Sequence, residues 1–205
     1  MSKEDQMVQS LIENSKSYKG SLYTEVEVEP EAHYNHYGNR GVADLFVRSK
    51  EEGGNNEVYY SDGVYEIKSE AAVRSSTGAN EIIRQFNKMR KYFYKDDSRS
   101  LPDDCHFELT FIPTEITVQH MVDNLSLYQS SQKKKLCGEI DPDYEFGESL
   151  ANICFRDNSD GIGQPASIYS PRTDIHDGTS WKSMLEGLGG TSSAKVVEIL
   201  DKLDY

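Results

Sequence analysis

Three ionisable residues stand where a folded chain should not leave them unpartnered. Glu66 and Lys68, in Val64-Tyr65-Glu66-Ile67-Lys68, are two positions apart in a run rich in β-branched and aromatic residues, so on a strand both side chains leave the same face. Asp44 interrupts the apolar run Gly41-Val42-Ala43-Asp44-Leu45-Phe46-Val47, which reads as a buried strand. Carboxylates and an ammonium are expensive to bury unless paired or bound. A divalent metal held by Asp44 and Glu66, with Lys68 beside it, would offset that cost, and this is where the sequence concentrates its chemistry.

The surrounding patterns supply elements to position these residues. Glu4 to Lys16 carries Met7, Val8, Leu11 and Ile12 in one helical stripe, with Ser2 as N-cap and Tyr18-Lys19-Gly20 as exit. From Leu22 the pattern alternates, with Val26 and Val28 on one face and Glu25, Glu27 and Glu29 on the other; Pro30 marks the strand's end or a sheet edge. His33 to Arg40 reads as a loop and Gly53-Gly54-Asn55-Asn56 as a turn. Val58-Tyr59-Tyr60, a turn at Ser61-Asp62-Gly63, and Val64 to Lys68 follow, so that the Asp44 and Glu66 strands pair in a meander. Ser76 to Asn80 opens a helix from Glu81 to about Tyr94, with Ile82, Phe86, Met89 and Phe93 in one stripe and Arg84, Lys88, Arg90, Lys91 and Lys95 on other faces.

Further on, His106 to Val118 predicts a strand interrupted by Pro113, His120 to Tyr128 a helix, and Leu150 to Phe155 another strand. Residues 157–178 read as a long loop. Two tail helices, Ser180 to Leu188 and Ala194 to Leu203, flank Gly189-Gly190-Thr191-Ser192-Ser193; lacking a basic second helix, they suit packing or homodimerisation better than a DNA-reading helix-turn-helix.

The order helix, strand, Asp-bearing strand, Glu-x-Lys strand, helix resembles the core of the PD-(D/E)XK nuclease superfamily. Asp44, Glu66-Ile67-Lys68 and Gln85 carry the resemblance, over about residues 1 to 115. Ala43 stands where many members have proline. Gln85 looks like the glutamine of the RecB-like branch, although the nearest downstream tyrosine, Tyr92, lies further along than in that branch. Archaeal Holliday-junction resolvases and restriction-type enzymes share the same core. The resemblance implies an α/β fold in which helices flank a central mixed sheet in αβββαβ order. It divides the chain into a nuclease-like domain (1–155), a loop (156–178) and a C-terminal helical hairpin (179–205). It also implies a further glutamate from the first helix, for which Glu13 is the candidate and Glu25 or Glu27 the competitors.

The implied reaction is Mg²⁺- or Mn²⁺-dependent hydrolysis of DNA phosphodiesters, which needs charge stabilisation at phosphate oxygens and a deprotonated water. Asp44, Glu66 and the main-chain carbonyl of Ile67 suit a hard cation, Lys68 would hold the attacking water, and Gln85 would align the site. Arg74, Arg84, Lys88 and Lys91 are the candidate phosphate contacts; Tyr92 and Tyr94 fit a core as well as a stack of bases, and His33 and His36 fit polar surface better than a metal pair.

Bulk composition bounds these readings. The chain of 205 residues has a net charge of −13, which is not the electrostatic footprint of a nucleic-acid binder. That balance keeps two other readings open: a nuclease fold that binds without turnover, and an acidic interaction protein using the Glu25-Glu27-Glu29 face. No apolar run is long enough to span a membrane and the polar N-terminus is unlike a secretory signal, so a soluble, cytoplasmic protein is expected. Cys105, Cys137 and Cys154 are widely spaced, which predicts reduced thiols rather than a disulfide framework or a thiolate zinc site.

Overall fold

The Asp44 and Glu66 runs form neighbouring antiparallel strands inside a six-stranded mixed sheet. This is the arrangement in a computed structural model, described for residues 1–16, 25–54, 57–134, 136, 150–156, 165–168 and 181. The elements are α1 (Lys3–Asn14), β1 (Glu25–His36), β2 (Asn39–Glu52), β3 (Val58–Lys68), α2 (Glu70–Ser75), α3 (Ala79–Tyr92), β4 (Asp104–Phe111), α4 (Glu115–Asp123), α5 (Leu125–Gln132), β5 (Leu150–Arg156) and β6 (Pro165–Ser167). Spatial order follows chain order; β1, β2 and β3 run antiparallel, β3, β4 and β5 parallel, and β6 antiparallel to β5. Parallel neighbours need a crossover, supplied by α2–α3 between β3 and β4 and by α4–α5 between β4 and β5.

Each sheet face has its own core. Phe46, Val64, Phe107, Leu109 and Phe111 pack with Ile82, Phe86, Met89 and Phe93 of the α3 side, while Leu45, Val47, Tyr65 and Ile67 pack with Met7, Leu11 and Ile12 of α1. Strand alternation decides this split: Glu66 and Lys68, in phase with Val64, face α3. α1 begins at a capping box, with Asp5 N donating to Ser2 Oγ and Ser2 N to Asp5 Oδ2.

Several boundaries differ from the sequence expectation, each for a local reason. β1 continues through Pro30 to His36 because it is the sheet edge, where a missing N–H costs no ladder bond. The expected loop from His33 to Arg40 is a tight hairpin, closed by Tyr37 and Gly38 at φ 45° and 84°; a side chain at Gly41 would overlap the Tyr34 hydroxyl packed over it. Ser61-Asp62-Gly63 is continuous strand rather than a turn. Asp62 is buried there, accepting from Arg48 Nε and Nη2 at 2.8 and 2.7 Å and from the Tyr94 hydroxyl at 2.7 Å. Gly63 lies under the Tyr65 ring, 2.8 Å from where a Cβ would sit. The helix expected over His120 to Tyr128 is two helices meeting at Asn124, and the stretch read as a long loop contains β6, whose Ala166 carbonyl accepts from Trp181 Nε1 at 3.4 Å. Cys105 and Cys154 are buried and form no disulfide among the described residues; Cys137 and, apart from Trp181, the expected tail helices lie outside the described residues.

A buried charge cluster ties β4 to β5. Glu108, fully buried, accepts from Arg156 Nε at 2.5 Å and Nη2 at 2.8 Å, lies 3.0 Å from His106 Nε2, and accepts from Thr110 Oγ1. Burial alone would raise this carboxyl, but Arg156 and His106 outweigh it and hold it well below the usual range.

Two stability outcomes follow from these pairs. Asp62→Ala strands Arg48 and the Tyr94 hydroxyl and should cost about 3 kcal/mol in denaturant unfolding, while leaving the fold of the remaining sheet recognisable by circular dichroism. For Glu108, a depressed folded-state pKa means stabilisation that is complete above the unfolded value of about 4.3 and lost as pH falls through the folded one. Unfolding free energy of the parent should therefore drop steeply below about pH 5, and Glu108→Gln should be less stable at neutral pH and show a shallower acid limb.

Candidate active site

Asp44 lies where β2 loses its ladder on both sides. Toward β1 the pairing passes from Pro30↔Leu45 to Ala32↔Ala43, missing the Glu31–Asp44 step, and Glu31 has φ 51°. Toward β3 it stops at Leu45↔Tyr65, one step short of Asp44 opposite Glu66. Ala43 and Phe46, three apart, both join the α3-side core, so the alternation of β2 shifts between them. The Asp44 side chain takes over the lost backbone function: its Oδ2 accepts from Ile67 N at 2.5 Å. One residue either side of Ile67, Lys68 Nζ donates to Glu66 Oε1 at 2.5 Å. The sequence therefore identified a real convergence of Asp44, Glu66, Ile67 and Lys68.

Two carboxylates face one ammonium here in a largely enclosed place, with the Glu66 and Lys68 side chains 12 % and 13 % exposed. Burial, then the charge of Glu66, push the Asp44 carboxyl up to about 7, against the hydrogen bond from Ile67 and the charge of Lys68. Burial also works against the Lys68 charge, but Glu66 and then Asp44 outweigh it and raise its pKa. Among the described residues, Asp44 Oδ1 and Glu66 Oε2 accept no hydrogen bond. No three His, Cys, Asp or Glu side chains gather as a metal cage among the described residues, so the protein's contribution would be two carboxylates and main-chain oxygen. That suits Mg²⁺, which keeps several waters and is commonly held by one or two carboxylates.

The first-helix glutamate that reaches this end of β3 is Glu4, not Glu13. Glu13 is exposed and accepts from Gln9 Nε2 at 2.9 Å, whereas Glu4 Oε1 accepts from Ser69 N at 3.0 Å, directly after Lys68, and its charge acts on both Asp44 and Lys68. Helical spacing contains the reason. Glu4 lies three residues before Met7 and seven before Leu11, on the buried stripe, and Glu13 falls on the opposite face. Glu25 and Glu27 pair across from Lys50 and Arg48, far along β2 from Asp44, and stay exposed.

Gln85 lies on an exposed flank of α3 and donates to Glu81 Oε1 at 2.9 Å. It borders two adjoining hollows: one of about 460 Å³ reaching Lys68 and Ser76, and one of about 260 Å³ reaching Glu66, Tyr34 and Arg40. Tyr34 and Arg40 are site-bordering residues that reading His33 to Arg40 as a loop concealed. The candidate phosphate contacts do not form one open patch. Arg74 pairs with Glu70 and Arg84 with Glu81, at 2.9 and 2.7 Å. Lys88 lines the smaller hollow and donates to the Arg40 carbonyl at 2.8 Å, and Lys91 lies 5.8 Å from the Tyr92 ring centre. Arg90 and Arg99 are structural: Arg90 is buried against the carbonyls of Ser131 and Lys134, and Arg99 holds Glu29 and the His33 carbonyl. Tyr94 is core, and His36 is held by the Lys95 carbonyl at 3.0 Å rather than paired with exposed His33.

Comparison with known proteins agrees with this architecture. A family model described as a PD-(D/E)XK nuclease superfamily domain matches residues 2–151, which include every element from α1 to β4 and all the converging residues. No curated protein and no solved structure matches the chain. No helix among the described residues is long and apolar enough to cross a membrane. With the match spanning most of the sequence and the αβββαβ order present in the fold, the chain belongs to the PD-(D/E)XK nuclease superfamily.

Proposed function

We propose that the protein is a Mg²⁺- or Mn²⁺-dependent nuclease that hydrolyses phosphodiester bonds in DNA. The observation that carries this reading is the placement of Asp44 against Ile67, between Glu66 and Lys68, with one oxygen of each carboxylate left without a hydrogen bond among the described residues. Asp44, Glu66 and the carbonyl of Ile67 would hold the cation, which when bound stabilises charge on the phosphate and lowers the pKa of its water. Lys68, kept as an ammonium by the surrounding carboxylates, donates to the attacking water or to a non-bridging phosphate oxygen. Glu66 fixes the Lys68 ammonium in that position. Glu4, anchored on Ser69 N, adds negative charge at the same end of β3 and takes the part expected of Glu13.

Gln85 borders both hollows beside Glu66 and Lys68 and aligns the scissile strand. Lys88 and Lys91 on the same helix, with Arg84 and Arg74 released from their exposed partners, contact flanking phosphates. Exposed ion pairs such as Arg74–Glu70 and Arg84–Glu81 are worth little in water, so a polyanion can compete for them. The overall charge of −13 does not exclude such contacts, whose affinity falls with salt according to the number of phosphates neutralised.

Cleavage of a labelled DNA duplex should require Mg²⁺ or Mn²⁺ and stop on chelation. Lys68→Ala should lower the rate about 10²- to 10⁴-fold, and Asp44→Ala should do at least as much; full-rate cleavage by both variants would sink the assignment. A second comparison separates the helix-one carboxylates. Glu4→Gln should lower cleavage by about 10-fold or more, and Glu13→Gln should leave it within experimental error, with the two variants equally folded.

A further inference from the structure

The β1–β2 hairpin ends in a residue that its turn does not call for. Tyr37 is 96 % exposed, more than any other large apolar side chain among the described residues, and sits at φ 45° beside Gly38 at φ 84°. A two-residue turn with both φ values positive favours Asn, Asp or Gly at its first position, and a bulky aromatic ring in that conformation is uncommon and unfavourable. The ring stabilises nothing through burial. The hairpin below it is firmly held: Asn35 N donates to Asp96 Oδ2 at 2.7 Å, the His33 carbonyl accepts from Arg99 at 2.7 Å, and Asn35 Oδ1 accepts from Gly38 N at 3.1 Å.

The stem of the hairpin also adjoins the proposed active site. The hollow beside Glu66 and Gln85 shares Tyr34, Arg40, Gly41 and Val42 with a third hollow of about 480 Å³ that reaches Asn35 and Asp96 at the hairpin. Lys88, Lys91 and Lys95 follow one flank of α3 and the turn after it in the same direction. At the far end the rings form a series: Tyr37 edge-on to His36 at 4.7 Å, His36 stacked on Tyr92 at 6.0 Å, and the Lys91 and Lys95 ammoniums each 5.8 Å from Tyr92. Aromatic faces interleaved with cations along a groove are how proteins hold unpaired nucleic-acid strands. Asp44 lies six residues beyond Gly38, about 20 Å along a strand.

We propose that Tyr37 is a stacking finger that takes an unpaired base about 20 Å from the bond being cut, so that the enzyme favours substrates with single-stranded or splayed DNA on that side. This rests on the nuclease reading above. Tyr37 is a specificity-determining residue here, remote from the reacting atoms.

The test measures fluorescence anisotropy of three fluorescein-labelled DNAs (single strand, splayed fork, fully paired duplex) in Ca²⁺ buffer, with the parent, Tyr37→Phe and Tyr37→Asn. Asn suits the turn better than Tyr, so Tyr37→Asn should melt no lower than the parent. It should nevertheless bind the single strand and the fork about ten-fold more weakly, with duplex binding unchanged, and Tyr37→Phe should match the parent. Parent-like binding of all three DNAs by Tyr37→Asn overturns the inference, as does an equal loss on all three, or a Tyr37→Phe as weak as Tyr37→Asn. A parent that binds none of them overturns the nucleic-acid reading itself, and this inference with it.

Discussion

The constraint on which the rest depends is the loss of strand pairing around Asp44. A strand inside a sheet normally satisfies its backbone from both neighbours; at Asp44 β2 skips a step toward β1 and has just ended its pairing with β3. The side chain of Asp44 replaces the missing bond to β3 by accepting from Ile67 N, which locks the aspartate to the strand that carries Glu66 and Lys68. The break is tolerated because α1 and α3 grip the strands from opposite faces on either side of it. Burial then sets the electrostatics: the Asp44 carboxyl is pushed up by burial and by Glu66, and the charge of Lys68 lies between the two carboxylates.

The site was legible in the sequence because it departs from the local pattern. Asp44 in an apolar run and Glu66-Ile67-Lys68 in a strand are departures that burial makes expensive, and the structure brings them together. The helices of the core were readable for the complementary reason, that Met7, Leu11 and Ile12, or Ile82, Phe86 and Met89, obey helical spacing and are buried as that spacing requires. Of the helix-one glutamates, the same spacing applied to the charged residues puts Glu4 on the buried side and Glu13 on the exposed one.

What was not legible depended on partners distant in sequence. Ser61-Asp62-Gly63 has turn composition, and its pairing with β2 and β4, with Arg48 and Tyr94 on Asp62, makes it strand. The hairpin at Tyr37 was hidden by a composition rich in Tyr, Asn and Gly that suits a loop equally well. The basic residues of the helix after the site likewise do not reveal from sequence that Arg90 holds the fold together while Lys88 lines the groove. Local sign, not the net charge, governs what the groove attracts.

The central claim, that Asp44 and Glu66 form one divalent-cation site, is tested most directly by Mn²⁺ titration followed by electron paramagnetic resonance of the free ion. The parent should bind Mn²⁺ saturably, and both Asp44→Asn and Glu66→Gln should lose that binding while each variant remains folded. Undiminished Mn²⁺ binding in the two folded variants would contradict it.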